Sequence, residues 1–91
     1  MSAITGRTLS KPSGPYWYWT ELGPERVNLN AGTVHLPPGR YEALWDFRGN
    51  SGEKLEFELV ADDGTVLLKV TRTIPEGELD DWGNQFFTVR A

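Results

Sequence analysis

Four aromatic residues in a row are the first candidates for chemistry in this sequence. They are Tyr16, Trp17, Tyr18 and Trp19, in the stretch "GPYWYWTELGPE". Successive side chains of a β-strand point to opposite faces, so the two tyrosines would share one face and the two tryptophans the other. One pair can then enter the core, and the other can stack on a sugar ring or be buried by a partner subunit. Alternatively, an arm or loop covers the second pair, which then has only a structural role.

A second candidate is the segment "ELDDWGNQ", residues 78–85. Trp82 beside Asp81 and Asn84 is the mixture that a sugar site needs, namely a flat apolar ring and polar groups for hydroxyls. The oxygens of Asp80, Asp81 and Asn84 could instead coordinate Ca²⁺, although their spacing matches no familiar calcium loop. A third interpretation is a solvated acidic turn in which Trp82 covers one end of the fold. This spacing favours the acidic turn, so we predict no metal and retain Asp81, Trp82 and Asn84 as candidate binding residues.

Groupings that support catalysis are missing from the sequence. His35 is the only histidine and there is no cysteine, whereas nucleophilic catalysis needs a base with an oriented partner beside the nucleophile. The phosphate-binding pattern GxxxxGK[ST] is also absent. Glu56 and Glu58 alternate with apolar residues, which suits the solvent face of a strand better than a glycosidase cleft. We therefore predict a non-catalytic protein with no cofactor.

Charge and composition narrow the range of partners. The chain has 91 residues, enough for one small domain, and its formal net charge is −4. Nucleic acid is not expected as a partner, because phosphate neutralisation needs a basic patch. No apolar run approaches the roughly 18 residues of a membrane span, and the N-terminus has no apolar signal-peptide segment. Together with the lack of cysteine, this predicts a cytoplasmic origin or a place in an assembled particle such as a virion.

Short apolar runs separated by turn residues predict an all-β fold. Apolar and polar residues alternate in "RYEALWDF" and "KLEFELVA", which indicates strands with one face in a core. Asp62-Asp63-Gly64 favours a tight turn, so residues 54–61 and 65–74 should form an antiparallel hairpin. The loop "RGNSGE" at 48–53 predicts a second hairpin. The candidate strands, about seven in all, are 16–20, 26–30, 33–36, 40–47, 54–61, 65–74 and 85–90.

The first fifteen residues differ from the rest of the chain. Residues 1–15 contain only Ile4 and Leu9 as larger apolar groups, and "KPSGP" at 11–15 is a stiff, extended stretch. We predict that 1–15 form an extended N-terminal arm and that 16–91 form a single β-sandwich domain.

Three motifs follow one another in a familiar order, "LPPGRYEALWDFRG", "GEKLEFELVADDGTVLLKV" and "NQFFTVRA". This order resembles the later strands of jelly-roll sandwiches of the carbohydrate-binding-module and galactose-binding-like type. The resemblance covers about residues 34–90 and implies an antiparallel jelly-roll-like sandwich rather than a particular ligand site. Small decoration proteins of phage capsids have a similar layout. The matching positions are Pro38, Gly39 and Tyr41, then Asp62, Gly64, Val66 and Leu67, then Phe86 and Phe87.

Two functions remain open at this point. The first is a structural or assembly accessory protein, for example a virion decoration-type subunit, that docks on protein subunits of a homo-oligomer or larger assembly through its arm and aromatic strand. The alternative is a carbohydrate-binding module that stacks a glycan on exposed Trp or Tyr side chains. An exposed pair beside Trp82 in a groove would favour the glycan, and a convex apolar patch continuous with the arm would favour assembly.

Overall fold

Eight β-strands in two antiparallel sheets make up the fold, as seen in a computed structural model that describes residues 2–30 and 32–91. The strands are β1 (Ser2–Ser10), β2 (Tyr16–Leu22), β3 (Glu25–Asn28), β4 (Thr33–Leu36), β5 (Gly39–Arg48), β6 (Lys54–Ala61), β7 (Val66–Thr73) and β8 (Asp80–Val89). The front sheet has the order β3-β2-β5-β8, and the back sheet has the order β4-β1-β6-β7. The all-β prediction is confirmed, whereas the jelly-roll connectivity stays a prediction.

The N-terminal segment belongs to the back sheet. β1 lies between β4 and β6 and pairs with both, and the side chain of Ile4 is fully buried. The predicted extended arm is therefore wrong for Ser2–Ser10, while Met1 lies outside the described residues. At Gly6 the lack of a side chain has a packing reason, since a Cβ there would collide with the backbone of Leu29. A strand of small residues can thus be part of the sandwich.

Residues 11–15 connect the back sheet to the front sheet and are fixed by the loop after β5. The amide of Gly14 donates to the carbonyl of Arg48 at 3.2 Å. The Ser13 amide and hydroxyl both donate to the Glu53 carboxylate at 2.9 Å. These hydrogen bonds, the one from the Ser13 amide first, lower the pKa of Glu53. The Pro- and Gly-rich segment is a tethered connection.

The hairpin between β6 and β7 forms as predicted, with antiparallel pairing along both strands. Gly64 adopts a φ of 88°, in the left-handed region that glycine tolerates best. The amide of Thr65 donates to the carboxylate of Asp63 at 2.9 Å, which closes the turn. By contrast, the loop "RGNSGE" joins β5 of the front sheet to β6 of the back sheet, so the predicted second hairpin is wrong.

Aromatic rings from both sheets meet in the core. Tyr18 on β2 stacks on Phe57 on β6 with 3.9 Å between ring centroids, and Trp45 meets the same ring edge-on at 6.0 Å. The Tyr41 hydroxyl donates to the carbonyl of Pro37 at 2.6 Å and holds the turn before β5. Because side chains alternate along each strand, this inward set determines which side chains of the front sheet face outward.

Candidate functional site: an aromatic face on the front sheet

Large aromatic side chains collect on the outer face of the front sheet. Tyr18 points inward on β2, so its neighbours Trp17 and Trp19 point outward. The same alternation on β8 leaves Trp82 and Phe86 outside. We name this surface the tryptophan face, and it consists of Trp17, Trp19, Leu44, Trp82 and Phe86.

Strand register brings these residues together from distant parts of the chain. Trp17 pairs with Asp46 on β5, and Asp46 pairs with Trp82 on β8, so the three form one row across the sheet. Neighbouring strands lie about 4.8 Å apart, which puts the Cα atoms of the two tryptophans about 10 Å apart. The adjacent row contains Trp19, Leu44 and Asn84.

Much of this aromatic surface is accessible to solvent. Trp82 is 72% exposed, Phe86 is 51% exposed and Trp17 is 37% exposed. None of the three belongs to the core cluster or packs against it as a partly buried neighbour. The core therefore does not explain why these positions carry large rings.

Two arginines lie on the aromatic rings of this face. The guanidinium of Arg26 on β3 lies 4.7 Å from the ring centroid of Trp19. The guanidinium of Arg40 on β5 lies 4.4 Å from that of Phe86. Both distances are within the range of cation–π attraction. Each arginine also presents hydrogen-bond donors at the border of the aromatic surface.

Charges of both signs surround the apolar residues. The side-chain amide of Asn84 donates a hydrogen bond to the carboxylate of Glu42. Alternation along the strands places three arginines and four carboxylates on this outer face. They are Arg26, Arg40, Arg48, Glu21, Glu42, Asp46 and Asp80. The face therefore mixes aromatic rings with charges of both signs, since Asp46 lies between Trp17 and Trp82 and Glu42 lies opposite Phe86.

The predicted tyrosines lie elsewhere. Tyr18 has no exposed surface, and its hydroxyl is hydrogen-bonded to that of Thr8 at 2.8 Å. Burial raises the pKa of Tyr18, and the Thr8 hydrogen bond opposes that shift. Tyr16 is partly buried against the core. Only the tryptophans of the "YWYW" run therefore remain at the surface as candidate binding residues.

Asp81 also points away from the tryptophan face. Its carboxylate accepts from the Arg72 side chain on β7 at 2.9 Å, and Arg72 in turn lies 5.8 Å from the ring centroid of Trp45. This pair links the open edges of the two sheets. Of the predicted residues in 78–85, Trp82 and Asn84 lie on the tryptophan face, and Asp81 does not.

Residues 80–85 of the acidic segment belong to strand β8 and not to the expected turn. Asp80 and Asp81 both belong to β8, so their side chains leave on opposite faces. Within residues 2–30 and 32–91, no group of three or more His, Cys, Asp or Glu side chains is placed to hold a metal ion. His35 lies exposed on β4, which matches the candidate strand at 33–36.

Sequence reasoning missed Phe86, Leu44, Arg26 and Arg40 as members of this surface. For Phe86 a usable signal existed, since Trp82, Asn84 and Phe86 follow each other at a period of two. The sequence predicts a strand only from 85 onward, because residues 78–85 are interpreted as an acidic turn. A Cβ at Gly83 would lie 2.8 Å from the Trp45 ring, so the glycine lets β8 pass close over that indole.

Comparisons with protein-family models, with curated proteins and with solved structures found no match to this chain. The part of the chain that the structure describes also contains no helix that is long and apolar enough to cross a membrane. What the tryptophan face does is therefore inferred from its own geometry and chemistry.

Proposed function

We propose that this protein is a non-catalytic interaction module that binds a partner protein through the tryptophan face. One observation carries the proposal, namely that Trp17, Trp82 and Phe86 remain exposed together on one sheet face. Scattered exposed apolar residues are normal, but several large rings collected on one face are typical of an interaction site.

The composition of the face is that of a protein interface. Trp and Arg are enriched at interfaces and dominate their binding hot spots, whereas Lys is depleted. Leu44 and Trp19 lie side by side near the centre of the face, and Asp46 lies between Trp17 and Trp82. Arg26 and Arg40 contact the rings of Trp19 and Phe86. No lysine lies on the outward positions of the four front strands.

An assembly role fits this surface. A structural accessory subunit, such as a virion decoration protein, needs one face that a neighbouring subunit buries and no chemistry of its own. Because Ser2–Ser10 form a strand inside the back sheet, we assign the docking to the tryptophan face alone and not to an arm.

The test is co-purification of the tagged chain with its partner from its native cells. Trp82→Lys should lower partner recovery at least about 30-fold, since hot-spot truncation costs about 2 kcal/mol or more. The matched control is Leu9→Lys, which changes a leucine that is 46% exposed on β1 of the back sheet. The control should retain the partner. Equal recovery with both variants, or equal loss with both, would overturn the proposal, provided that circular dichroism shows both folded.

The row Trp17–Asp46–Trp82 favours a second candidate, a carbohydrate-binding module. Two indoles could stack on sugar rings while the carboxylate between them accepts from hydroxyls. The resemblance to carbohydrate-binding jelly rolls adds to this alternative. Titration of tryptophan fluorescence with soluble polysaccharides tests it. Saturable binding that Trp17→Ala and Trp82→Ala both abolish would support it, and flat responses across a glycan array would remove it.

A further inference from the structure

β8 differs from the other three edge strands of the sandwich. Natural proteins protect edge strands by keeping them short, by bulges or by charges such as lysine. β3 and β4 have four residues each, and β7 carries Lys69 and an irregular register opposite Leu59 and Val60. β8 has ten residues, without proline or lysine. It pairs with β5 along its whole length without a register shift.

The free edge of β8 presents a regular row of backbone groups. The amide of Gly49 donates to the carbonyl of Leu79 at 3.0 Å. This bond makes Leu79 a hydrogen-bonded position opposite Gly49. Because hydrogen-bonded and non-hydrogen-bonded residues alternate along an antiparallel pair, the odd-numbered residues of β8 bond to β5. The even-numbered residues turn their N–H and C=O groups to the open side, where no hydrogen bond among residues 2–30 and 32–91 uses them. These residues are Asp80, Trp82, Asn84, Phe86 and Thr88.

We propose that β8 pairs antiparallel with β8 of a second copy of this chain, about a two-fold axis at Asn84. In this register Asp80 lies opposite Thr88 of the second copy and Trp82 lies opposite its Phe86. The five residues of each copy whose backbone groups face the open edge are then all paired. Each of these five pairs exchanges two hydrogen bonds, which gives about ten between the strands. A slip by two residues leaves one residue of each copy unpaired and separates the aromatic pair.

Side-chain chemistry supports this register. Two Trp82–Phe86 pairs form across the axis, and aromatic cross-strand pairs stabilise antiparallel sheets. Asn84 meets its own copy, and no like charges lie directly opposite each other. A two-fold axis perpendicular to the sheet keeps outer faces on the same side, so the two tryptophan faces become one continuous surface. The dimer therefore adds to the proposed binding surface but does not depend on that function.

A cysteine scan tests the register directly, because the chain contains no cysteine. Opposed residues of a hydrogen-bonded antiparallel pair have Cα atoms about 5.5 Å apart, within the range of a disulfide. Asn84→Cys should therefore give a covalent dimer on mild oxidation. Thr88→Cys is the matched control on the same strand and face. Its copies would lie eight residues apart along the strand, about 27 Å, so it should stay monomeric on a non-reducing gel.

Sedimentation velocity tests the pairing itself. The wild-type chain should sediment as a dimer, and Asn84→Pro should reduce the apparent mass to one chain. Proline at Asn84 removes a free-edge N–H and no bond to β5. Asn28→Pro is the matched control. Leu29 donates to Tyr18, so the amide of Asn28 faces the free edge of β3, and this variant should stay dimeric.

Either of two results would overturn the proposal. The first is a wild-type chain that remains monomeric at its highest soluble concentration. The second is a Thr88→Cys variant that crosslinks as fast as Asn84→Cys. If Asn84→Pro does not fold, the crosslinking of the two cysteine variants still tests the pairing of β8 with its copy.

Discussion

The two outer faces of the sandwich are built differently. On the back sheet, Arg7 pairs with Glu58 at 3.3 Å and Lys69 pairs with Glu56 at 3.8 Å. Threonines fill much of the remaining surface of that face, as is usual for strands in contact with water. The front sheet instead carries the tryptophan face. Both sheets alternate in the same way and share one core, so the difference lies only in what the outward positions carry.

This difference indicates that the fold does not require outward aromatics. The strands of the back sheet carry no outward Phe, Tyr or Trp, because charged, hydroxyl and a few aliphatic side chains cover that outer face. An exposed aromatic patch increases the risk of aggregation, so its presence on one sheet only points to a function of that sheet. The back sheet therefore serves as an internal reference for the outer face of the front sheet.

The largest difference in the free energy of unfolding is expected between substitutions at two neighbouring residues of β2. Tyr18→Ala should lower the free energy of unfolding by about 3–5 kcal/mol, because it empties the stack on Phe57 in the core. Trp17→Ala, one residue away, should cost about 1 kcal/mol or less, because its ring lies outside the core. Urea denaturation of both variants measures the difference. Similar losses would mean that Trp17 is a core residue and that the comparison of faces does not hold.

A smaller difference in stability is expected between substitutions on the inner and outer faces of β8. Gly83→Ala should cost about 1–3 kcal/mol, since the new methyl group would press on the Trp45 ring. Asn84→Ala, on the outer side, should cost about 1 kcal/mol, the value of its hydrogen bond to Glu42. Thermal unfolding can resolve this, because 1 kcal/mol corresponds to about 4–8 °C for a domain of this size. A neutral Gly83→Ala would show that β8 has room over Trp45.

The Arg72–Asp81 ion pair, which links the two sheets, should contribute less to the free energy of unfolding than the core does. Asp81→Ala removes the partner of Arg72 at the open edge and should cost about 1 kcal/mol, since the arginine remains partly solvated. Denaturant titration at low and high salt measures this effect. A loss comparable to that of Tyr18→Ala would show that the edge contact, and not the core, joins the two sheets.

The smallest effect is expected on the outer face of the back sheet. Glu58→Gln breaks the pair with Arg7 and should cost about 0.2–1 kcal/mol, with the difference from wild type shrinking in high salt. The matched change on the front sheet is Glu42→Gln. Partner binding should respond only to the front-sheet change, and a response to Glu58→Gln alone would move the interaction site to the back sheet.

Local signals were sufficient for part of the fold. The Asp-Asp-Gly turn predicted the β6–β7 hairpin, since a tight turn needs a residue that tolerates positive φ. Alternation separated the tyrosines of β2 from the tryptophans, but it could not decide which pair faces inward. The loop at 48–53 looked like a hairpin because its glycines permit a turn, whereas the choice of sheet depends on packing with distant strands.

The remaining features depend on contacts between distant segments. Residues 1–15 contain few large apolar side chains, so the sequence predicts an arm there. The place of β1 in the back sheet depends on distant contacts, such as the close approach of Gly6 to the backbone of Leu29. The tryptophan face forms only when β2 and β8 flank β5. No local pattern specifies that arrangement, so Trp17 and Trp82 were identified as separate candidates and not as neighbours in one row.

Hydroxyl-radical footprinting in the native assembly tests the central claim most directly, because it needs no knowledge of the partner. Trp17 is the key probe, since it lies two strands away from the free edge of β8, and exposed His35 on the back sheet is the internal control. We expect oxidation of Trp17 to fall several-fold in extracts of native cells relative to the purified chain, with oxidation of His35 unchanged. Equal oxidation of Trp17 in both samples, or protection of His35 alone, would contradict the assignment of the tryptophan face as the binding surface.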